Sequence, residues 1–238
     1  MKKINKKEYF LLLIFFGLLM FTAAQSQTLN ITLTWSANTY VPPGYQGRTL
    51  PVRGSVVEVA ATVESSGTKP ELLSYQWIVN GLVQETGSGI GKQAFNLKIP
   101  DKTSRDYLVK VEVGDKNGNF LGISSYMTIP IVNPEIVLTA GASPVSAESY
   151  SVLPEQETDF IAQPYFFNIN RITDLSYKWN LGEQEAFLID SITPNVLSLK
   201  VNQRTETASQ TLFVSAENKS NPFQTAQTKA EIIFIPNQ

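Results

Sequence analysis

The chain contains no cysteine and no histidine. Without cysteine there is no disulfide framework, no thiolate metal site and no cysteine nucleophile. Without histidine the usual general base and the commonest zinc ligand are both missing. A Ser–His–Asp triad is therefore excluded. Charge is scarce and balanced: 19 Lys+Arg stand against 21 Asp+Glu, and charged residues make up 17%. Binding nucleic acid through its phosphates needs a basic excess, and there is none. Small secreted animal domains usually carry disulfides, so their absence fits bacterial export better.

What is present is an apolar content of 42% over 238 residues, enough for one or two domains with a real core. Lys2, Lys3, Lys6 and Lys7 form a basic start, and an apolar stretch runs from Tyr9 to Ala24. Small residues follow at Ala23, Ala24 and Ser26. This order of basic, apolar and small residues reads as a signal peptide over residues 1–26. Cleavage fits after either Thr22-Ala23-Ala24 or Ala24-Gln25-Ser26. The other reading is an uncleaved membrane anchor, but the stretch is shorter than the roughly 20 residues a spanning helix needs. No cysteine follows it, so a lipid anchor is excluded. The remainder is expected outside the cytoplasm: periplasmic, at the cell surface or extracellular.

The sequence then repeats itself at an offset of about a hundred residues. Leu73-Ser74-Tyr75-Gln76-Trp77 returns as Leu175-Ser176-Tyr177-Lys178-Trp179, and Leu97-Lys98-Ile99 as Leu199-Lys200-Val201. Val109, Val111 and Val113 align with Leu212, Val214 and Ala216, and Leu50-Pro51 with Leu153-Pro154. Within each copy apolar and polar residues alternate, as in Phe95, Leu97 and Ile99 around Asn96 and Lys98. A period of two means half-buried strands. Turn signals such as Asn80-Gly81 and Asn117-Gly118 separate the runs.

The first copy predicts strands over 29–36, 56–63, 73–79, 82–85, 93–99, 106–113 and 120–132. The second predicts strands over 136–140, 159–166, 175–181, 187–189, 196–201, 207–216 and 225–235. Seven short strands in about a hundred residues imply an all-β protein of two tandem sandwiches. Their expected bounds are 28–132 and 133–238, with a short linker near Asn133-Pro134.

A Trp on the third strand (Tyr75-Gln76-Trp77) is joined by Tyr107-Leu108-Val109-Lys110-Val111-Glu112-Val113-Gly114-Asp115 on the sixth. This pair resembles the PKD branch of the immunoglobulin-like superfamily, whose modules recur in bacterial surface proteins and secreted enzymes. The W-D-F-G-D-G string typical of that branch is absent: Ile-Val-Asn-Gly follows Trp77 and Asn-Leu-Gly-Glu follows Trp179. Copy two also lacks a tyrosine aligned with Tyr107. The resemblance implies an Ig-like fold, with Trp77 and Trp179 filling the space between sheets. It also implies a tyrosine corner at Tyr107, its hydroxyl tied to upstream main chain.

Candidate sites are few. Tyr40-Val-Pro-Pro-Gly-Tyr45, continuing through Arg48 to Arg53, is the most unusual stretch. Tyrosine and arginine are enriched at interaction hot spots, so Tyr40, Tyr45, Arg48 and Arg53 form a candidate ligand or partner face. The alternative is an edge segment packing its own tyrosines on the sandwich. Gly87-Ser-Gly-Ile-Gly-Lys92 lacks the spacing of a phosphate loop and reads as a strand connection. Asp115-Lys-Asn-Gly-Asn119 is a hairpin turn, and a calcium site there needs further oxygens from Asp101 or Asp106. Pro164-Tyr165-Phe166-Phe167 and Phe187 add aromatics to the second copy, read as core rather than a sugar platform. Asn30-Ile31-Thr32 and Asn218-Lys219-Ser220 match glycosylation sequons.

The sequence thus implies no cofactor, no metal and no enzyme activity. It favours a structural or adhesive module of the cell envelope whose partners are envelope or surface proteins. A secreted carbohydrate-binding protein is the alternative. No nucleic-acid partner is expected, and the membrane is met only through the N-terminal segment if that segment is uncleaved.

Overall fold

In the computed structural model the described residues are 30–64, 69–102, 105–141, 143–144, 149–185 and 190–236. The expected signal peptide lies outside them. Among the described residues there is no α-helix, and no helix long and apolar enough to cross a membrane.

The strands are β1 (Asn30–Ala37), β2 (Val56–Glu64), β3 (Ser74–Val79), β4 (Leu82–Val83), β5 (Gly89–Ile90), β6 (Ala94–Lys98), β7 (Tyr107–Gly114) and β8 (Phe120–Ile129). They are followed by β9 (Glu135–Ala140), β10 (Ser143–Pro144), β11 (Ser149–Val152), β12 (Glu157–Tyr165), β13 (Leu175–Leu181), β14 (Gln184–Glu185), β15 (Val196–Lys200), β16 (Ala208–Asn218) and β17 (Asn221–Phe234). Two sheets come from the first half, in the orders β1-β2-β6 and β4-β3-β7-β8, with β5 also pairing β3. Two more come from the second half, β10-β9-β12-β15 and β11-β17-β16-β13-β14.

Alternation creates this arrangement directly. Along β3, Tyr75, Trp77 and Val79 are buried while Ser74, Gln76 and Ile78 are half-exposed. Along β7, Val109, Val111 and Val113 lie in the core. The register pairs Trp77 with Val111 and Tyr75 with Val113, so like faces meet. Side chains of both sheets then close one apolar cluster: Val57, Val59 and Ala61 from β2 pack with Trp77 and Val111. The second half forms its own cluster around Trp179, Phe160, Leu212, Val214 and Ile232. These are immunoglobulin-like β-sandwiches: in each half the chain crosses repeatedly between the two sheets, leaving β2 for β3–β5 and returning at β6, or leaving β12 for β13 and β14 and returning at β15, so no sheet is built from sequential strands alone.

The repetition extends to individual hydrogen bonds. Trp77 Nε1 donates to Lys92 O at 2.9 Å, and Trp179 Nε1 donates to Pro194 O at 3.1 Å, each 15 residues further on. A 3-10 turn, Pro70–Leu72, precedes β3, and another, Ile172–Asp174, precedes β13. Buried indole N–H groups need an acceptor, and the chain supplies the equivalent carbonyl in both copies.

Several expected details differ. The strand expected over 187–189 lies outside the described residues; β14, which the sequence did not point to, occupies Gln184–Glu185. β8 ends at Ile129, before Pro130, because proline has no N–H to continue the ladder. The short strands β5, β10 and β11 carry too few residues to show a period. β11 pairs in parallel with the end of β17, Ser149 opposite Glu231. The tyrosine corner expected of Tyr107 is not seen among the described residues; that ring packs half-buried on the first core. The hydroxyl reaching back to upstream main chain is that of Tyr75, which donates to Pro70 O at 3.0 Å.

Candidate functional site

Residues 38–55 connect β1 to β2 and cross to the second half of the chain. Tyr40 N donates to Phe167 O and Phe166 N donates to Tyr40 O, both at 2.7 Å, forming an isolated antiparallel bridge. Burial raises the Tyr40 phenol above its ordinary value of 10.0. Tyr45 sets its ring edge-on to Tyr165, centroids 5.7 Å apart, and to Phe166 at 6.0 Å. Its hydroxyl donates to Arg48 O at 3.3 Å. The Arg48 guanidinium sits 4.6 Å above the Trp35 ring, a cation–π contact. Arg53 contributes its carbonyl, which accepts from Gln224 Nε2.

The four sequence-selected residues therefore meet their own chain, and Tyr40, Tyr45 and Arg53 meet the second half. The contact with the second half was not foreseen from the sequence. Tyr45 remains 37% exposed beside Tyr165, so an aromatic edge still reaches solvent.

The centre of the joint is polar. Gln224 is fully buried. Its Oε1 accepts from Asn168 N and from Asn218 Nδ2, both at 2.9 Å. Asn218 Nδ2 also donates to Asn168 O at 3.2 Å. Asn168 Nδ2 reaches Gly54 O at 3.3 Å, and Asn221 Nδ2 donates to Asp101 Oδ1 at 2.7 Å. Each buried amide oxygen and nitrogen of Gln224 thus has a partner, as burial demands. Gly54 holds φ +78, and a methyl group there would lie 2.5 Å from Asn221 Nδ2 and 2.7 Å from Asp101 Oδ1. Glycine is needed for both reasons: left-handed backbone and close approach.

Sequence reasoning missed Gln224, Asn168, Asn218 and Asn221. Amides at strand ends look like ordinary turn residues, and only Gly54 in Arg53-Gly54-Ser55 carried a local signal. Asn218 heads a sequon, yet it is buried and its Nδ2 is engaged twice.

The remaining candidates are taken up structurally. In the glycine loop, Ser88 Oγ accepts from Trp77 N at 2.9 Å and Lys92 O receives the indole, so the loop closes the core beneath Trp77. Asp115 accepts from Asn117 N, Asn119 N and Asn119 Nδ2. These bonds, the Asn119 side chain first, hold its carboxyl below the usual 3.8. Asp106 Oδ1 accepts from Ile131 N, and Asp101 is engaged in the joint. Among the described residues no three acidic side chains converge as metal ligands do. Phe166 and Phe167 are buried, while Phe187 lies outside the described residues.

One buried group is left over. The Tyr177 hydroxyl is inaccessible to solvent and has no hydrogen-bond partner among the described residues. Burial pushes its phenol well above 10.0, and nearby Tyr40 adds to the shift.

No protein-family model and no curated protein matches the chain. Solved structures do. One comprises three N-terminal domains of the bacteriophage RB49 Highly Immunogenic Outer Capsid protein, at 15% identity over 87% of this chain and 59% of that one, TM-score 0.44. A second is a Bacteroides ovatus mixed-linkage glucan utilization locus protein, SGBP-B, in complex with a mixed-linkage heptasaccharide, at 14% identity over 84% and 47%, TM-score 0.27. A third is domains 4 and 5 of the S-layer protein SbsC, at 10% identity over 87% and 98%, TM-score 0.35. The chain spans less than two thirds of the first two. These likenesses, at 10–15% identity, are likenesses of fold.

Proposed function

We propose that this chain is an exported, non-enzymatic structural or adhesive module of the cell envelope. In this reading residues 1–26 direct export, and residues 28–132 and 133–238 form tandem Ig-like, PKD-like domains. They act as a spacer or hold envelope and surface proteins together. The observation that carries the reading is the polar joint. Asn168, Asn221 and Gln224 on one side meet Gly54, Asp101 and Arg53 on the other, and Asn218 braces Asn168 and Gln224 from behind. A chain that only displayed two independent binding modules would gain nothing from a buried, fully bonded Gln224 between them. A spacer needs such a lock, because satisfied buried polar groups fix one geometry.

Fractionation of the expressing cell combined with pull-down from envelope extracts tests this. The chain should partition outside the cytoplasm and capture envelope proteins. Recovery of the intact chain from the cytosol, or turnover in a broad hydrolase screen, would refute it.

The half-exposed Tyr45–Tyr165 pair favours a second reading, a secreted carbohydrate-binding protein. A sugar can stack its C–H groups on the face of an exposed ring, the electron-rich side of its π-system. A glycan array distinguishes the two: reproducible binding abolished by Tyr45→Ala supports the second reading, and no binding on the array removes it.

A further inference from the structure

An asparagine followed by glycine leaves its side-chain amide open to attack by the main chain, because glycine has no Cβ to keep its nitrogen away. The chain has two such pairs, Asn80-Gly81 and Asn117-Gly118. Both close hairpins of the first sandwich and both are exposed, so sequence and accessibility treat them alike. Their bonding does not.

Asn80-Gly81 joins β3 to β4. Both residues hold positive φ, 49 and 83, the tight turn that Asn-Gly favours between strands. Asn80 is also tied to β7. Its N donates to Leu108 O at 2.9 Å, and its Oδ1 accepts from Leu108 N at 2.9 Å. The side-chain carbonyl is held toward β7, and its carbon cannot swing onto Gly81 N until that bond breaks.

Asn117-Gly118 joins β7 to β8. Here Asp115 Oδ1 accepts from Asn117 N at 2.8 Å. The Asn117 side chain makes no hydrogen bond among the described residues. Gly118 holds φ 81, and its N donates to Asp115 O at 3.0 Å. That is one bond across an exposed turn, the kind that opens locally at least cost. The free amide and the attacking nitrogen are adjacent, and no bond holds the amide away.

We infer that Asn117 is a site of spontaneous covalent modification, converted through a cyclic imide formed with Gly118, while Asn80 is protected. Gly118 N bonds to the Asn117 side-chain carbon and the amide C–N bond breaks. The displaced nitrogen leaves as ammonia, taking the Gly118 N–H proton. Water then opens the ring at either carbonyl. One opening gives an aspartate at position 117. The other routes the main chain through the side chain, an isoaspartate with an extra methylene before Gly118. That insertion displaces Asn119, whose N and Nδ2 hold the Asp115 carboxylate and whose O accepts from Asp115 N at 2.9 Å. The β7–β8 turn is thereby unlocked. The inference depends neither on export nor on the spacer role.

Incubation of the purified, folded chain at mildly alkaline pH tests it, read by peptide mass analysis and isoaspartate-specific methyl transfer. Position 117 is expected to convert about tenfold or more faster than position 80, the factor that the bonds pinning Asn80 impose. In denaturant both turns are gone, and the two positions convert at similar rates. In the aged chain the Asp115 carboxyl titrates closer to 3.8 than in the fresh one. Asn117→Gln, whose longer side chain closes the ring far more slowly, stays unmodified and keeps the turn. A folded chain in which Asn80 converts as fast as Asn117 overturns the inference. So does a position 117 still intact when the denatured chain has fully converted, or an unmoved Asp115 midpoint in chain that carries the isoaspartate.

Discussion

At the scale of single residues, Trp77 and Trp179 are the largest fully buried side chains among the described residues. Trp77 is fully buried between sheets, and its indole N–H is bonded to Lys92 O. Trp77→Ala removes the ring and leaves the Lys92 carbonyl without its buried donor. The expected loss is about 3–5 kcal/mol, read by urea unfolding at neutral pH, and Trp179→Ala should match it. A change below about 1 kcal/mol, the size of a surface substitution, would mean the ring is not core. Tyr177 is the opposite case. Its buried hydroxyl has no partner among the described residues, so removing the oxygen removes a cost. Tyr177→Phe is expected to be neutral or stabilising by up to about 1 kcal/mol. Burial raises the folded phenol above 10.0. The folded state therefore keeps a proton that the unfolded chain releases from pH 10 upward. Stability is full below pH 10 and falls as pH rises beyond it, and Tyr177→Phe should flatten that alkaline decline in denaturant titrations.

At the scale of elements, the strands follow from alternation and the turns from particular bonds. The β7–β8 connection is closed by Asp115, whose carboxylate accepts three donors from Asn117 and Asn119. Those donors favour the charged form, so the folded carboxyl titrates below 3.8. The turn's contribution is fully present above pH 3.8 and is lost as pH falls through the lower folded value. A carboxyl-resolved NMR titration should show Asp115 with a depressed midpoint, and Asp115→Ala should free the 116–119 amides to exchange. A midpoint at or above 3.8 would contradict the bonding. This turn was readable from Asn117-Gly118. The short strands were not: β5 and β14 have two residues each, too few for a period. They exist because the longer strand beside them offers unpaired main chain.

At the scale of the whole molecule, the joint couples two sandwiches that each have their own core. Gln224→Ala strands the Asn168 amide, the Asn218 side chain and the Arg53 carbonyl together. The loss is expected at about 2–4 kcal/mol, since leaving several buried groups unbonded costs more than one bond returns. Calorimetry should show one thermal transition in the parent chain and two in the variant. Two transitions already present in the parent would mean the joint does not couple the halves. Gly54→Ala should act in the same direction, through both its φ of +78 and the crowding of Asn221.

The strand pattern, the repeat and the buried tryptophans were legible because each is local. A period of two, a copied pentapeptide and an aromatic on an inward position need no knowledge of distant chain. The joint was not legible, because Tyr40 and Phe167, or Arg53 and Gln224, are far apart in sequence and carry no shared pattern. An amide that will be buried between sandwiches looks the same as one that will face water. Only packing the second sandwich against residues 38–55 removes the water and turns those side chains into a lock. Alternation and composition thus determined what the two halves are. Tertiary structure alone decided how they meet, since burial of a polar group is a property of its neighbours rather than of the residue.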